Sequence, residues 1–165
     1  MKKISTDLID GLNKQITAEF ESAYLYLAMA DYLHTQNFDG MAYWFKKQAD
    51  EEKRHGLKIN DFLIERGVTP VLGEIKAPKK EWDDIISLFD DAYRHECAVS
   101  DMIYDLVAQG MEDKDFASLS FLQWFVDEQV EEETQSLSLL KKVHLTDEVA
   151  AGLMVLDQQM GGRRN

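Results

Sequence analysis

The chain has 165 residues, a length that suits one domain with its own hydrophobic core. Its 18 lysines and arginines against 31 aspartates and glutamates give a formal net charge of −13. Nucleic acids and anionic membranes are bound mainly through lysine and arginine, so this charge argues against both as partners and favours cations. A single cysteine, Cys97, excludes an internal disulfide framework and cysteine-rich metal sites. The first ten residues contain no apolar run typical of a signal peptide or membrane span, and we expect a cytoplasmic protein.

Proline and capping residues divide the chain into long segments suited to helices. Both prolines, Pro70 and Pro78, fall in one short stretch, and the proline-free segments on either side can form long helices. Apolar residues recur there at helical spacing, and Ser5-Thr6-Asp7 and Thr146-Asp147-Glu148 offer capping side chains. The pattern predicts helices over residues 6–35, 40–67, 83–110, 114–143 and 147–160.

The lengths of these segments predict an all-α four-helix bundle with a short fifth helix, in a single domain over residues 1–165. Four helices of about 28 residues would each be about 40 Å long. The stretch from Val68 to Lys80 holds both prolines and is interpreted as one long extended connection. Because such a connection can span the bundle, it predicts that the second and third helices run parallel to each other.

Each of the four long helices carries polar residues in the middle of its apolar stripe. Continuing the first stripe at helical spacing places Glu19 and Tyr26 on the buried face. Any single glutamate in such a position is equally well explained as a polar residue at the edge of its face. Matching depth in all four helices is not explained in that way. The corresponding positions in the other three helices are Glu52, His55, Glu96, Gln129 and Glu132.

Buried carboxylates at one level of a bundle require a counterion, because like charges in a poorly solvated interior cannot all stay ionised. No lysine or arginine occupies the stripes near these glutamates. Glu52 and His55 are three residues apart and therefore share one helical face, a spacing typical of carboxylate-bridged metal pairs. Four carboxylates and one imidazole favour two iron or manganese ions over a structural zinc site.

In addition to these stripes, the sequence resembles the non-haem bacterial ferritins of the ferritin-like di-iron family over essentially its whole length. The helix order, the long connection, the short fifth helix and the run FLQWFVDEQVEEE in the fourth helix carry the resemblance. It implies a ferritin-like bundle with one long crossover and a homo-oligomeric shell of 24 subunits. It also implies a ferroxidase that oxidises Fe(II) with O2 or H2O2 at a di-iron centre and stores the iron as a ferric oxyhydroxide mineral.

The resemblance also assigns the ligands of the two irons. Glu19, Glu52 and His55 would bind the first iron, and Glu52 would bridge to the second. The second iron would also be held by Glu96 and Glu132. The imidazole of His55 would be the only nitrogen ligand in this set.

Other residues match positions beside the centre in this family. Gln129 would lie next to the second iron as a hydrogen-bond partner, and Tyr26 and Trp124 match aromatic residues that can donate electrons during oxygen reduction. From the residues alone, Tyr26 and Trp124 would be interpreted as packing residues of the core.

Two further acidic sets are implied by the resemblance. One matches the ligands of a third iron site on the inner surface, although the residues alone favour a solvated acidic face. The other lies at the turn into the fourth helix and would line a three-fold channel. The first set is Glu51, Glu128 and Glu131, and the second is Glu112, Asp113 and Asp115.

Two differences from the related bacterioferritins bear on whether the protein binds haem. Bacterioferritins carry a second Glu-x-x-His where this chain has Gln129-x-x-Glu132, and a haem-ligating Met where it has Lys53, so we expect no haem. A di-iron or di-manganese oxidoreductase, such as an oxygenase or a catalase, remains the alternative enzyme. A non-enzymatic bundle with a structural metal is the third interpretation.

Overall fold

The computed structural model describes residues 3–162, and within that range the chain forms five helices and no strand. Each observed helix end lies within three residues of its predicted position, and the all-α fold class is confirmed. The predicted single domain also covers residues 1–2 and 163–165, which lie outside the described range. The helices are α1 (Thr6–Thr35), α2 (Asp39–Glu65), α3 (Ile85–Glu112), α4 (Phe116–His144) and α5 (Ala150–Gly161).

Side-chain caps from Ser5, Asp84 and Asp115 fix the starts of α1, α3 and α4. The hydroxyl of Ser5 accepts a hydrogen bond from the Leu8 amide at 3.2 Å at the start of α1. Asp84 and Ser87 form a capping box, so α3 begins at Ile85, slightly later than predicted. Capping at these positions satisfies amide groups that a helix cannot pair internally.

The start of α5 differs from the prediction. Asp147 and Glu148 have positive φ angles of 45° and 55°, which are incompatible with a right-handed helix. The helix therefore begins at Ala150 after Val149, which provides no side-chain cap. Instead of capping α5, the Glu148 carboxylate accepts a hydrogen bond from the Ile86 amide at 3.1 Å.

The long connection lies along α1. Its backbone amides donate to side chains of α1 that are spaced one helical turn apart, so the connection follows the length of that helix. The bonds are Val71 to Asn13 Oδ1 (2.9 Å), Gly73 to Thr17 Oγ1 (3.1 Å) and Lys76 to Glu21 Oε1 (3.2 Å). A methyl group at Gly73 would lie 2.7 Å from Thr17 Oγ1, so a larger residue there would require Thr17 or the connection to shift.

Contacts along α1 give the direction of its neighbours. Tyr26 in the second half of α1 contacts Phe45 early in α2, and Glu19 lies beside His55 later in α2. Tyr26 also reaches Glu96, while Gly11 faces Leu106 nearer the end of α3. Both α2 and α3 are therefore antiparallel to α1 and parallel to each other, as predicted.

Two apolar clusters fill the bundle, one toward each end. Met29, Phe45 and Phe89 lie in the first cluster, and Leu12 and Ile59 lie in the second. The residues between these clusters along every long helix are the polar ones predicted from the stripes. None of the helices in residues 3–162 is long and apolar enough to cross a membrane.

Candidate metal centre

The polar belt between the two clusters is almost completely buried. The relative exposures of its ionisable residues run from 1% for Glu19 to 5% for His55. Each of these residues occupies a position where the apolar stripe of its helix points into the bundle, so packing on either side withdraws the charge from water. The five buried residues are Glu19, Glu52, His55, Glu96 and Glu132.

These residues form two groups of potential metal ligands that share one carboxylate. Ligand atoms of Glu19, Glu52 and His55 all lie within 4.8 Å of one another, and so do those of Glu52, Glu96 and Glu132. No other group of three such residues in the described part of the chain meets this distance. Because Glu52 belongs to both groups, two cations bound there would be neighbours bridged by its carboxylate.

The first group combines α1 and α2. Nδ1 of His55 lies 3.2 Å from Glu52 Oε2 and 3.8 Å from Glu19 Oε2. The amide nitrogen of Gln15 donates to Glu19 Oε1 at 2.8 Å, which orients that carboxylate. The second oxygen of Glu19 is buried and has no hydrogen-bond partner. A buried anionic oxygen without a donor is costly, and a bound cation would supply the missing interaction.

The second group joins α2 to α3 and α4. The amide nitrogen of Gln48 donates to Glu132 Oε2 at 2.7 Å and to Glu52 Oε1 at 3.2 Å. Gln48 is 1% exposed, so both bonds are made inside the protein. One neutral amide thus holds two carboxylates from different helices at a fixed separation.

Two further predicted residues contact Glu96. The Tyr26 hydroxyl donates a hydrogen bond to its carboxylate, which places the phenol directly beside the second group. The amide nitrogen of Gln129 lies 3.4 Å from Glu96 Oε2 and 3.3 Å from Ser100 Oγ. Both residues are buried, in agreement with their positions in the predicted stripes.

Burial shifts the protonation of these carboxyl groups. Loss of solvation raises the pKa of Glu96 to about 7 and that of Glu132 to about 9, where the charges of Glu52 and Glu96 add to the effect. Burial also raises the pKa of Glu19 well above its usual value. Burial opposes ionisation of Glu52 as well, but the hydrogen bond and charge of His55 outweigh it and lower the pKa of Glu52.

The donor set fits hard cations. Within residues 3–162, no lysine or arginine forms an ion pair with any of the four buried glutamates, and the imidazole of His55 is the one basic side chain beside them. Carboxylate-rich sites with one imidazole suit iron or manganese, since these ions prefer oxygen and nitrogen ligands. Binding two dications would release the bound protons and remove the repulsion between the carboxylates.

Trp124 is more exposed than its predicted core position requires. It remains 37% exposed. Its indole packs against the His55 ring at a centroid distance of 5.3 Å, and the Lys58 ammonium lies 4.1 Å from the indole centroid. Trp124 therefore contacts the centre from its solvent side.

The acidic set of Glu51, Glu128 and Glu131, predicted to hold a third iron, lies outside the buried centre. Glu131 is exposed and Glu51 and Glu128 are partly exposed, and no ligand atoms of these three residues form a group of the kind described above. Burial raises the pKa of Glu128, with further contributions from the charges of Glu131 and Glu51. The three glutamates are therefore electrostatic neighbours.

The three residues predicted to line a three-fold channel differ in burial. Asp115 is 2% exposed, and its carboxylate accepts a hydrogen bond from Arg66 at 2.9 Å. Despite its burial, the pKa of Asp115 is lowered because Arg66 and Ser118 donate to it. Asp115 caps α4, so the prediction that it lines a channel is wrong for the subunit described here. Glu112 is exposed and Asp113 is partly exposed.

Two glutamines next to the centre were not identified from the sequence. Gln15 lies four residues before Glu19, and Gln48 lies four residues before Glu52. Each shares a helical face with the glutamate it supports. A glutamine one turn before a glutamate within an apolar stripe is the signal that could have identified both.

The fold and the buried cluster define a four-helix-bundle protein with a dinuclear carboxylate–histidine site. The family model for the ferritin-like domain matches residues 9–146. The chain is similar to a bacterial non-heme ferritin of Staphylococcus epidermidis, with 43% identity over 79% of each chain. A Staphylococcus aureus bacterial non-heme ferritin is 34% identical over 97% of this chain and 96% of the relative.

A solved structure gives the same result for the fold. An open pore ferritin from the hyperthermophilic archaeon Archaeoglobus fulgidus superposes with a TM-score of 0.97 at 40% identity, covering 99% of this chain and all of that one. The chain belongs to the ferritin family. The resemblance stated from the sequence and the ferritin-like bundle are both confirmed.

Proposed function

We propose that the protein is a ferroxidase and iron-storage protein that oxidises Fe(II) at a di-iron centre within each subunit. The observation that carries this proposal is the pair of buried ligand groups sharing Glu52. Membership of the ferritin family and similarity to bacterial non-heme ferritins support it. Iron is the substrate of this reaction and the stored cargo.

In this proposal, each of the two ligand groups binds one iron. Glu19, Glu52 and His55 bind one Fe(II), and Glu52, Glu96 and Glu132 bind the other. Two ions bridged in this way lie about 3.5–4 Å apart, as in other two-metal sites. Each iron gives up one electron, and O2 takes up both together with two protons to form H2O2, or H2O2 takes them up to form water. The carboxylates favour the product because their charge stabilises Fe(III) over Fe(II).

Further parts of the proposal concern the surroundings of the centre. Tyr26 and Gln129, which contact Glu96, would orient that ligand, and Tyr26 together with Trp124 could donate electrons. The exposed set of Glu51, Glu128 and Glu131 would hold a third iron as it leaves the centre. The chain would assemble into a shell of 24 subunits that encloses the ferric mineral, as its resemblance to bacterial ferritins implies. The proposed reaction does not involve haem.

Aerobic addition of Fe(II) to the metal-free protein tests the ferroxidase activity. We expect rapid oxidation of two Fe(II) per subunit, which is measured through the absorbance of the ferric product. Oxidation no faster than in buffer would overturn the proposal. Light scattering tests storage separately, since a 24-subunit shell of 19.0 kDa chains has a mass of about 450 kDa. A monomer or dimer would instead favour a di-iron or di-manganese oxidoreductase of the same bundle type.

A further inference from the structure

A groove between α1 and α3 leads toward the metal centre. It has a volume of about 300 Å³. The Leu106 side chain of α3 packs directly over Gly11 of α1 there, since a methyl group at Gly11 would lie 2.6 Å from Leu106 Cδ2. The polar residues that line the groove are Asp7, Lys14, Gln15, Asp105 and Gln109.

Gln15 connects this groove to the centre. It lines the groove, is completely buried, and donates its amide nitrogen to Glu19 at 2.8 Å. Its amide oxygen is buried and has no hydrogen-bond partner. Since the nitrogen is held by Glu19, the unpaired oxygen is available on the same side chain that reaches both the groove and a proposed ligand.

The next acceptor inward is also unpaired. Glu19 Oε2 is buried without a donor, one helical turn from Gln15. Two buried oxygens without donors therefore follow one another between the groove and His55. Amide and carboxylate oxygens are ligands for hard cations, and neither oxygen could bind an anion.

The mouth of the groove carries the charge that a cation requires. Asp7 and Asp105 are exposed carboxylates on opposite walls, and Lys14 is the one positive side chain among the lining residues. The aspartates attract a dication, whereas Lys14 repels it and limits occupancy. A weakly held ion suits a site of passage better than a site of storage.

We propose that this groove is an entry site for Fe(II), where the ion is held near Asp105, contacts the Gln15 amide oxygen and passes to Glu19. This inference rests on the proposed ferroxidase function. No bond is made or broken in the transfer: the ion exchanges water for the Gln15 oxygen and then for the Glu19 carboxylate. The entry site feeds the first ligand group directly, without passing the exposed set of Glu51, Glu128 and Glu131.

The test compares Asp105→Asn with Asp101→Asn. Asp101 is also exposed on α3, one turn earlier, but does not line the groove. Both variants lose one negative charge, so the net charge of the protein is matched. Initial oxidation rates are measured by stopped flow over a range of Fe(II) concentrations in the assembled protein. Crystals of each variant and of the wild type are soaked in Co²⁺, which reports occupancy without oxidation.

We expect Asp105→Asn to lower the rate at limiting Fe(II) about fivefold and Asp101→Asn to lower it less than twofold. The rate at saturating Fe(II) should be unchanged in both, because the ligands are intact. Lys14→Gln should raise the rate at limiting Fe(II). Cobalt should be found between Asp105 and Gln15 in the wild type and in Asp101→Asn, and should be lost in Asp105→Asn.

Equal rates for the two aspartate variants at limiting Fe(II) would overturn the entry site, and so would an empty groove in cobalt-soaked wild-type crystals. A loss of rate confined to saturating Fe(II) would also overturn it, since that result points to a disturbed centre. If the wild type itself oxidises no Fe(II), the ferroxidase proposal fails instead, and the cobalt measurement still decides whether the groove binds a dication.

Discussion

Two sets of glutamates lie within about one helical turn of each other, and they differ mainly in burial. The buried set is supported by amide donors and forms two groups of potential ligands. In the exposed set, Glu51 faces Arg54 at 3.4 Å and Glu131 accepts from Gln135 at 2.8 Å. The buried set is Glu19, Glu52, Glu96 and Glu132, and the exposed set is Glu51, Glu128 and Glu131.

This comparison shows that carboxylates adjacent in sequence can differ in whether they require a counterion. Water and nearby side chains satisfy Glu131, so it requires no metal to be stable. Glu132, the next residue, faces the interior, where its charge must be protonated or neutralised by a cation. Burial therefore distinguishes carboxylates that need a proton or a cation from carboxylates that solvent can satisfy. The following predictions test that distinction.

The largest effect is expected from removing His55, the only nitrogen ligand in the proposed centre. His55→Ala should lower the rapid oxidation rate by more than about 100-fold. Loss of a residue that binds the metal directly should cost more activity than loss of a residue that only orients a ligand. Stopped-flow absorbance after aerobic Fe(II) addition measures this rate. His144→Ala is the matched control, since His144 is exposed at the end of α4.

The control should oxidise iron at the wild-type rate. A wild-type rate in His55→Ala would show that His55 is not a ligand. Circular dichroism of the variant must match the wild type for the comparison to hold.

The second prediction concerns the stability of the metal-free protein. Folding raises the pKa of Glu132 to about 9, so the native state keeps a proton that the unfolded chain releases above its ordinary pKa. This group therefore makes the native state less stable as pH rises from about 4.5 to about 9. Glu132→Gln should raise Tm by at least about 3 °C at pH 8, and by less at pH 5.

Glu131→Gln is the control, because it changes the neighbouring charge on the exposed side of α4. Its Tm should change little at either pH. Differential scanning calorimetry after chelator treatment makes the measurement. A gain for Glu132→Gln that is equal at pH 5 and pH 8 would contradict a burial penalty on its charge.

The third prediction addresses the exposed set. Changing Glu51, Glu128 and Glu131 together to alanine should leave the first oxidation of two irons fast, because no buried ligand is lost. The ratio of iron to oxygen consumed and the rate of a second iron addition should change. A third iron should disappear from iron-soaked crystals.

The matched control replaces three exposed glutamates elsewhere, Glu65, Glu74 and Glu81, and removes the same net charge. If the triple variant of the exposed set still binds three irons and matches this control on second addition, that set is only a solvated acidic face.

The smallest effect is expected from a supporting amide. Gln48→Ala removes the donor that joins Glu52 to Glu132, and it should slow oxidation about two- to fivefold while both ligands remain. Gln123→Ala, on the exposed face of α4, is the control. A rate for Gln48→Ala equal to that of Gln123→Ala would mean that Gln48 only fills space.

Helical periodicity was sufficient to predict the fold and the depth of the polar belt. Glu19, Tyr26 and Glu96 are buried because each continues an apolar stripe, and periodicity reports that directly. Sequence spacing does not report which side chains from different helices meet. The contacts of Gln48 with Glu132 and of Arg66 with Asp115 depend on how α2 packs beside α4.

Side chains at the edge of a stripe were the harder cases. Trp124 was interpreted from the residues alone as a packing residue of the core, but it remains 37% exposed while it contacts His55. Asp115 looks like a surface residue at a turn in the sequence, but it is buried and accepts hydrogen bonds from Arg66 and Ser118. The paired ligand groups of the centre fit the roles implied by family resemblance, and those roles remain predictions for the experiments above.

The hydrogen bonds between the crossover and α1 affect how the chain tolerates changes in length. Surface connections usually accept insertions and deletions at little cost. Here Asn13 and Thr17 are four residues and about 6 Å apart along α1, and the two residues from Val71 to Gly73 cover a similar distance when extended. The first part of the connection is thus in register with the helix beneath it, and the next three residues, up to Lys76, span the step from Thr17 to Glu21. Deleting Leu72 would put successive amides out of step with their acceptors, so a segment resembling a tolerant linker should resist shortening during evolution or engineering.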